Sequence, residues 1–274
     1  MNTRLIVQKK ITRSVLALIV SVALAGLTAC SNHNNSSSSE GQMEVKLHDA
    51  PALFGAVQLD IQKVEVKNSS STSDTSWVTI SNQPQTVNLL DLTNGNTKII
   101  ASSNVKSGTY TTLRLVLGSN NKVEVNGTMM NLNLSSSAQA GVDVNINTQV
   151  DAQNNATLLL DFDVARSITS GLTGSFTLNP VITATQESNS GDVSGQIQPA
   201  NAMTAVYVKS GSDTVSSTYS DTTSGDFKLI GLAQGNYDVD IHSMNSTYSD
   251  TTISNVSVAA KQETKLGAVV LPSK

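Results

Sequence analysis

Two aspartates two residues apart, Asp161 and Asp163 in "LDFDVARS", are the first candidates for chemistry in this chain. On a strand, residues i and i+2 project to one face, and Arg166 follows three residues later. His48 and Asp49 close an earlier alternating stretch, "MEVKLHD", with Pro51 just beyond it. Three readings fit these residues. Asp49, Asp161 and Asp163 can gather as oxygen ligands for calcium, which takes about six to eight such oxygens. Asp161 and Asp163 can act as acid and base in glycoside cleavage. Alternatively, Arg166 pairs with an aspartate and the carboxylates satisfy turn amides, a common use of Asp before a turn.

A second candidate is the heptapeptide "STYSDTT", which occurs at 217–223 and again at 246–252. It places Tyr219 and Tyr248 in matched surroundings. Tyrosine offers an apolar face and a polar tip, so the pair suits a sugar or a protein partner. An incidental repeat of a solvated strand pattern is the other reading, and the simpler one. Signatures of catalysis are otherwise absent: there is no HExxH, GxSxG, GxGxxG or GxxxxGK[ST]. His33, His48 and His242 are far apart, whereas zinc needs clustered His or Cys ligands. Calcium is therefore the one cofactor the residues suggest. Aromatic residues are 4% of the chain, with Trp77 the sole tryptophan, which is thin material for a sugar-stacking platform.

The one cysteine, Cys30, lies in "LTACSNHNNSSSSE". Arg4, Lys9, Lys10 and Arg13 precede it, followed by the apolar run "SVLALIVSVALAGLTA" from Ser14 to Ala29. A basic start, a short apolar middle and small residues before a cut describe a secretory signal peptide. The run is shorter than the roughly 20 residues needed to cross a bilayer as a helix. "L-T-A-C" resembles the lipobox of bacterial lipoproteins. That resemblance implies removal of residues 1–29, lipidation of Cys30, and several acyl chains where one alone anchors only marginally. Ser31 stands where members retained at the inner membrane usually carry aspartate, which by analogy implies the outer membrane. With no second cysteine, no internal disulfide can form. Residues 30–40 then read as the lipidated cysteine and a Ser- and Asn-rich, disordered tether.

The whole chain carries 17 basic and 21 acidic residues. Processing removes four basic ones and leaves 13 against 21, a balance of −8. Such a chain is a poor match for nucleic acid, whose binding depends on Lys and Arg against phosphate. It is equally poor for anionic headgroups. The expected partners are the membrane through the lipid, and a glycan or an envelope protein.

The elements that must position these residues read as strands. "AVQLDIQKVEVK" (56–67) alternates with one break, and "YTTLRLVLG" (110–118), "MNLNLS" (130–135) and "VDVNIN" (142–147) keep a period of two. Alternation predicts half-buried antiparallel strands, and "NGN", "SGT", "VNGT" and "QNN" mark the turns between them. Only "LLDLTNGNTKIIASSNV" (89–105) suggests a short helical turn. The fold expected is all-β, with two antiparallel sandwich-type domains. A boundary at "QESNSGD" (186–192) divides residues 41–187 from residues 191–271.

In the first body, "LHDAP", "VNLLDL", "SGTYTTLRLVL", "LLLDFDVARSI" and "FTLNPVI" follow in order. Together they resemble a bacterial lipoprotein family known as domain of unknown function 4382. The resemblance implies a surface-attached β domain and no particular chemistry. In the second, "SGDF-x-L-x-GL-x-x-G-x-Y-x-V" (224–239) is similar to the carboxypeptidase regulatory-like, transthyretin-like domains. These imply a seven-stranded sandwich, usually a non-catalytic spacer. The matched positions are turn glycines and core residues, so they speak to fold and not to function. The expected function is therefore a non-catalytic envelope lipoprotein displaying a binding or structural surface. Polysaccharide capture is the alternative, and a glycoside-type hydrolase stands behind both.

Overall fold

The computed structural model describes residues 39–50, 54–70, 76–171 and 174–274. The signal run, Cys30, His33 and most of the tether lie outside the described residues, as does Pro51. Among the described residues, no helix is long and apolar enough to cross a membrane.

The first body runs through β1 (Glu40–Ala50), β2 (Ala56–Asn68), β3 (Trp77–Ser81), β4 (Gln85–Asn88), β5 (Lys98–Lys106) and β6 (Gly108–Leu117). It continues with β7 (Lys122–Val125), β8 (Thr128–Leu134), β9 (Val142–Val150), β10 (Ala156–Asp163), β11 (Ile168–Ser170), β12 (Phe176–Leu178) and β13 (Ile182–Gln186). The second holds β14 (Ser190–Gln198), β15 (Thr204–Ser210), β16 (Asp213–Tyr219), β17 (Asp226–Ala233), β18 (Gly235–Ser243), β19 (Thr251–Val258) and β20 (Glu263–Val270). The described residues form an all-β fold, as the alternation requires. The helical turn expected after Val87 is there, at Leu89–Leu92, but Lys98–Lys106 beyond it is the edge strand β5.

Four strands in the order β13-β10-β1-β5 form one sheet of the first body. The second sheet runs β11-β12-β8-β7-β2-β6-β9, with β3 and β4 also paired to β2. Both supply one core: Met43, Val45 and Leu47 from β1, Leu158, Leu160 and Phe162 from β10, and Val64, Leu113 and Leu115 from the larger sheet. Each such side chain, fully buried, contributes roughly 1.5–3 kcal/mol. The break in alternation within β2 has a structural cause. The register against β6 shifts between Ile61 and Lys63, and an extra residue there returns Val64 and Val66 to the buried face.

Pairing is mainly antiparallel, but β1 lies parallel to β10, β8 to β12, and β14 to β20. Alternation within one strand reports which face is buried and is silent about the direction of its neighbour. The second body stacks β17-β14-β20 and β16-β15-β18-β19 around a separate core that includes Val193, Val206, Phe227 and Val239. A single 3₁₀ turn, Glu187–Asn189, joins β13 to β14.

The two bodies meet directly, within one compact unit that spans Ser38–Lys274. Asn94, in the turn after Leu92, takes a left-handed backbone (φ 57°) that Asn tolerates. Its N–H donates to Thr218 Oγ1 (3.1 Å), its Oδ1 accepts the Lys228 N–H (2.5 Å), and its Nδ2 donates to the Asp226 carbonyl (3.4 Å). β16 and β17 are edge strands of different sheets. One loop of the first body thus satisfies groups on both edges, which would otherwise be open to stray pairing.

Candidate functional site

Two of the aspartates singled out in the sequence, Asp161 and Asp163, sit at this seam. In the parallel pair β1–β10, His48 is in register with Asp161, and Asp49 with Phe162. Side chains alternate, so His48 and Asp161 share one face and Asp49 shares the core face with Phe162. Asp49, Asp161 and Asp163 therefore do not converge as calcium ligands. No group of three or more His, Cys, Asp or Glu side chains able to hold a metal exists among the described residues.

His48 and Asp161 face the second body. A Cβ added at Gly231 of β17 would stand 3.4 Å from Leu159 and 3.6 Å from His48 Nε2. Those are ordinary contact distances; it is the left-handed backbone at Gly231, φ +76°, that favours glycine there. His48 Nδ1 lies 3.8 Å from Asp161 Oδ1, beyond hydrogen-bond reach. That oxygen is buried without a hydrogen-bond partner. Burial pushes Asp161 up to about 7, with the Asp163 charge adding to the rise and Arg166 opposing it. Burial pushes His48 down to about 4. Both groups are thus neutral across a window near pH 5–6, where the seam holds no buried charge.

Asp163 has a different task. Its Oδ1 accepts the Arg166 N–H (2.8 Å) and caps the helical turn Val164–Ser167, while Oδ2 takes Arg166 Nε (2.6 Å). The space between these carboxylates and Thr214–Ser217 of β16 is about 40 Å³. Ligand pockets run from roughly 300 Å³, so this cavity admits water and excludes a sugar ring.

The repeated heptapeptide lands in two unlike places. Tyr219 ends β16, in register with Ala205. Tyr248 lies between β18 and β19, bridges to Ser273, and packs against the second core. The strand order puts these copies at opposite edges of one sheet, about 14 Å apart at the usual spacing between strands. Asp221 of the first copy accepts the Thr223 and Ser224 N–H groups, whereas Asp250 of the second takes the Ser243 N–H and faces His242.

Tyr219 has other neighbours instead. Ala205 is flanked by Tyr219 on one side and His242 on the other, and Tyr207 by Ser217 and Asp240. All lie on the sheet face away from Val206, Val208 and Ile241 of the core. Tyr207 and His242 meet edge to face, centroids 5.4 Å apart at 79°. Ala205, Tyr207, Lys209, Thr214, His242 and Met244 line an open groove of about 370 Å³. The sequence reading missed Tyr207 and left His242 isolated. Period two places Ala205, Tyr207 and Lys209 on one face, but joining them to His242 needs the β15–β18 register.

No curated protein matches the chain. Three solved structures illustrate its similarities. The Bacillus anthracis TIE protein is 13% identical, covering 86% of this chain, with a TM-score of 0.23; this chain spans only 34% of that one. GBS52, the minor pilin of Streptococcus agalactiae, is 10% identical over 85% of this chain and 96% of its own, with a TM-score of 0.23. The shaft pilin SpaA of Lactobacillus rhamnosus GG, a D295N mutant, is 10% identical over 86% and 99%, with a TM-score of 0.25. A family model described as a domain of unknown function, DUF4382, matches residues 40–180, from the start of β1 to two residues before β13.

Proposed function

This chain belongs to the DUF4382 family, and from that premise we propose that it is a non-catalytic protein of the bacterial envelope. It is exported, lipid-anchored through Cys30 at the outer membrane, and displays its two β bodies beyond a tether. The observation that carries the non-catalytic reading is the seam. Asp161 is enclosed between the bodies and Asp163 is engaged by Arg166, beside a cavity of about 40 Å³. Carboxylates held this way have no room for a glycosidic bond between them. Lipobox-like "LTAC" and the Ser31 that follows it support the anchor and its membrane.

The test is fractionation of bacteria producing the chain or its Cys30→Ser form. The native chain is expected to sediment with outer membranes and to incorporate labelled palmitate. Cys30→Ser is expected to do neither. A native chain found soluble and unlabelled would overturn the anchor. Polysaccharide capture is the second reading, favoured by the open face that carries Tyr207, Tyr219 and His242.

A further inference from the structure

We propose that the groove on the outer face of β16-β15-β18-β19, walled by Tyr207 and His242, binds an uncharged pyranose polysaccharide. The inference rests on the capture reading and names its site and ligand class. The groove, about 370 Å³, falls within the range of ligand pockets. It follows the strands: Lys209 to Ala205 is four residues, about 13 Å at the strand rise. A run of sugar rings can lie along it. Ala205, a small residue, lines the groove between the larger Tyr219 and His242.

The chemistry selects the ligand. A sugar ring has an apolar C–H face and a rim of hydroxyls that both donate and accept. Tyr207 supplies an aromatic body with a polar tip, and its edge-to-face contact with His242 holds its orientation in advance of binding. Met244, 52% exposed, adds an apolar lip. Lys209 Nζ lies 2.6 Å from Asp240 Oδ2, and Thr252 Oγ1 donates to Asp240 Oδ1 at 2.8 Å. These bonds hold the Asp240 carboxyl below the usual carboxylate range. Asp240 remains an acceptor and Lys209 a donor, with their charges matched. His242 Nδ1 is likewise 3.0 Å from Asp250 Oδ2. Lys209, the one permanently charged side chain lining the groove, is paired with Asp240, so the groove offers little net attraction to an anionic polymer. It offers what hydroxyls use.

The experiment uses the full chain in detergent micelles and native gels containing soluble uncharged polysaccharides of glucose, xylose, mannose or galactose. Polygalacturonate is the charged comparison. At least one uncharged polymer is expected to retard the chain, with little change between low and moderate salt. Tyr207→Ala is expected to weaken binding about 30-fold, the loss typical of an aromatic anchor. His242→Ala, at a position 48% exposed, tolerates folding and is expected to lose about 5- to 10-fold. Tyr207→Phe keeps the ring and is expected to stay within about threefold. Retardation by none of the neutral polymers would overturn the inference, as would preference for polygalacturonate or full retention of binding in His242→Ala. Concentration-dependent dimerisation lost in His242→Ala would overturn it in favour of a second copy as occupant. Fractionation of Cys30→Ser is scored separately: an anchored chain that binds no neutral polymer refutes this site and leaves the anchored display standing.

Discussion

Asp161→Asn should stabilise the protein at alkaline pH and leave it nearly unchanged in acid. Asp161 is raised from 3.8 to about 7 in the folded chain. An acid whose pKa rises on folding binds its proton more tightly when folded. Its contribution to stability is full below the unfolded value and is lost as pH rises through about 7. At about 1.4 kcal/mol per pH unit, a shift of about three units sets a ceiling near 4 kcal/mol. The Asp161 side chain retains 18% exposure, so about 2–4 kcal/mol is the working range. Asparagine has the protonated carboxyl's shape and no charge to bury. For a chain of this size, 1 kcal/mol moves Tm by about 2–4 °C, which gives a rise of about 4–16 °C at pH 8.5. Below pH 4 the difference should vanish. Thermal unfolding of both chains at pH 4, 6 and 8.5, followed by circular dichroism, measures this. Were His48 and Asp161 a working ion pair, Asp161→Asn would lower Tm at neutral pH, and that result would refute the reasoning. So would an equal rise at every pH.

Other predictions follow from the same structure. His48, lowered from 6.5 to about 4, contributes stability above pH 6.5 that is lost as pH falls through 4; His48→Gln should therefore flatten the acid limb of the Tm profile. Asn94→Ala removes two side-chain bonds across the seam and puts alanine at φ 57°. It should cost about 2–3 kcal/mol by denaturant midpoint, and Asn94→Gly less, because glycine keeps the backbone at ease. Arg114 lies 4.0 Å over the Trp77 ring and pairs with Asp143. Arg114→Ala should alter the emission of the sole tryptophan and cost about 0.5–1.5 kcal/mol, since the pair is part-exposed. Because Asp49 points away from Asp161 and Asp163, Tm should agree within about 1 °C in excess calcium and in chelator, where a bound ion would raise it by mass action.

Local pattern was enough for the class of fold. Alternation in "MEVKLHD", "YTTLRLVLG" and "VDVNIN" reports which side chains are buried, since a strand has only two faces. Even the break in β2 was visible before its bulge was. The DUF4382 resemblance was carried by phrases along one stretch, and residues 40–180 match that family. What alternation omits is everything set between strands. The parallel pairing of β1 with β10 placed Asp49 opposite Phe162, and so separated it from the two aspartates that the calcium reading joined it to. The repeated "STYSDTT" suggested a symmetric pair of tyrosines, but one copy ends a strand and the other opens one. Identical residues took different neighbours because pairing partners, unlike strand faces, come from distant parts of the chain. Sequence alone determined the regularly alternating strands, their buried faces and the shortage of catalytic motifs, because these depend on neighbours one or two residues away; Lys98–Lys106, in a stretch that suggested a helical turn, needed its pairing with β1 to be a strand. Only the tertiary structure decided that Asp161 meets His48 and that Tyr207 meets His242, because register and sheet order are settled by contacts that no local spacing records.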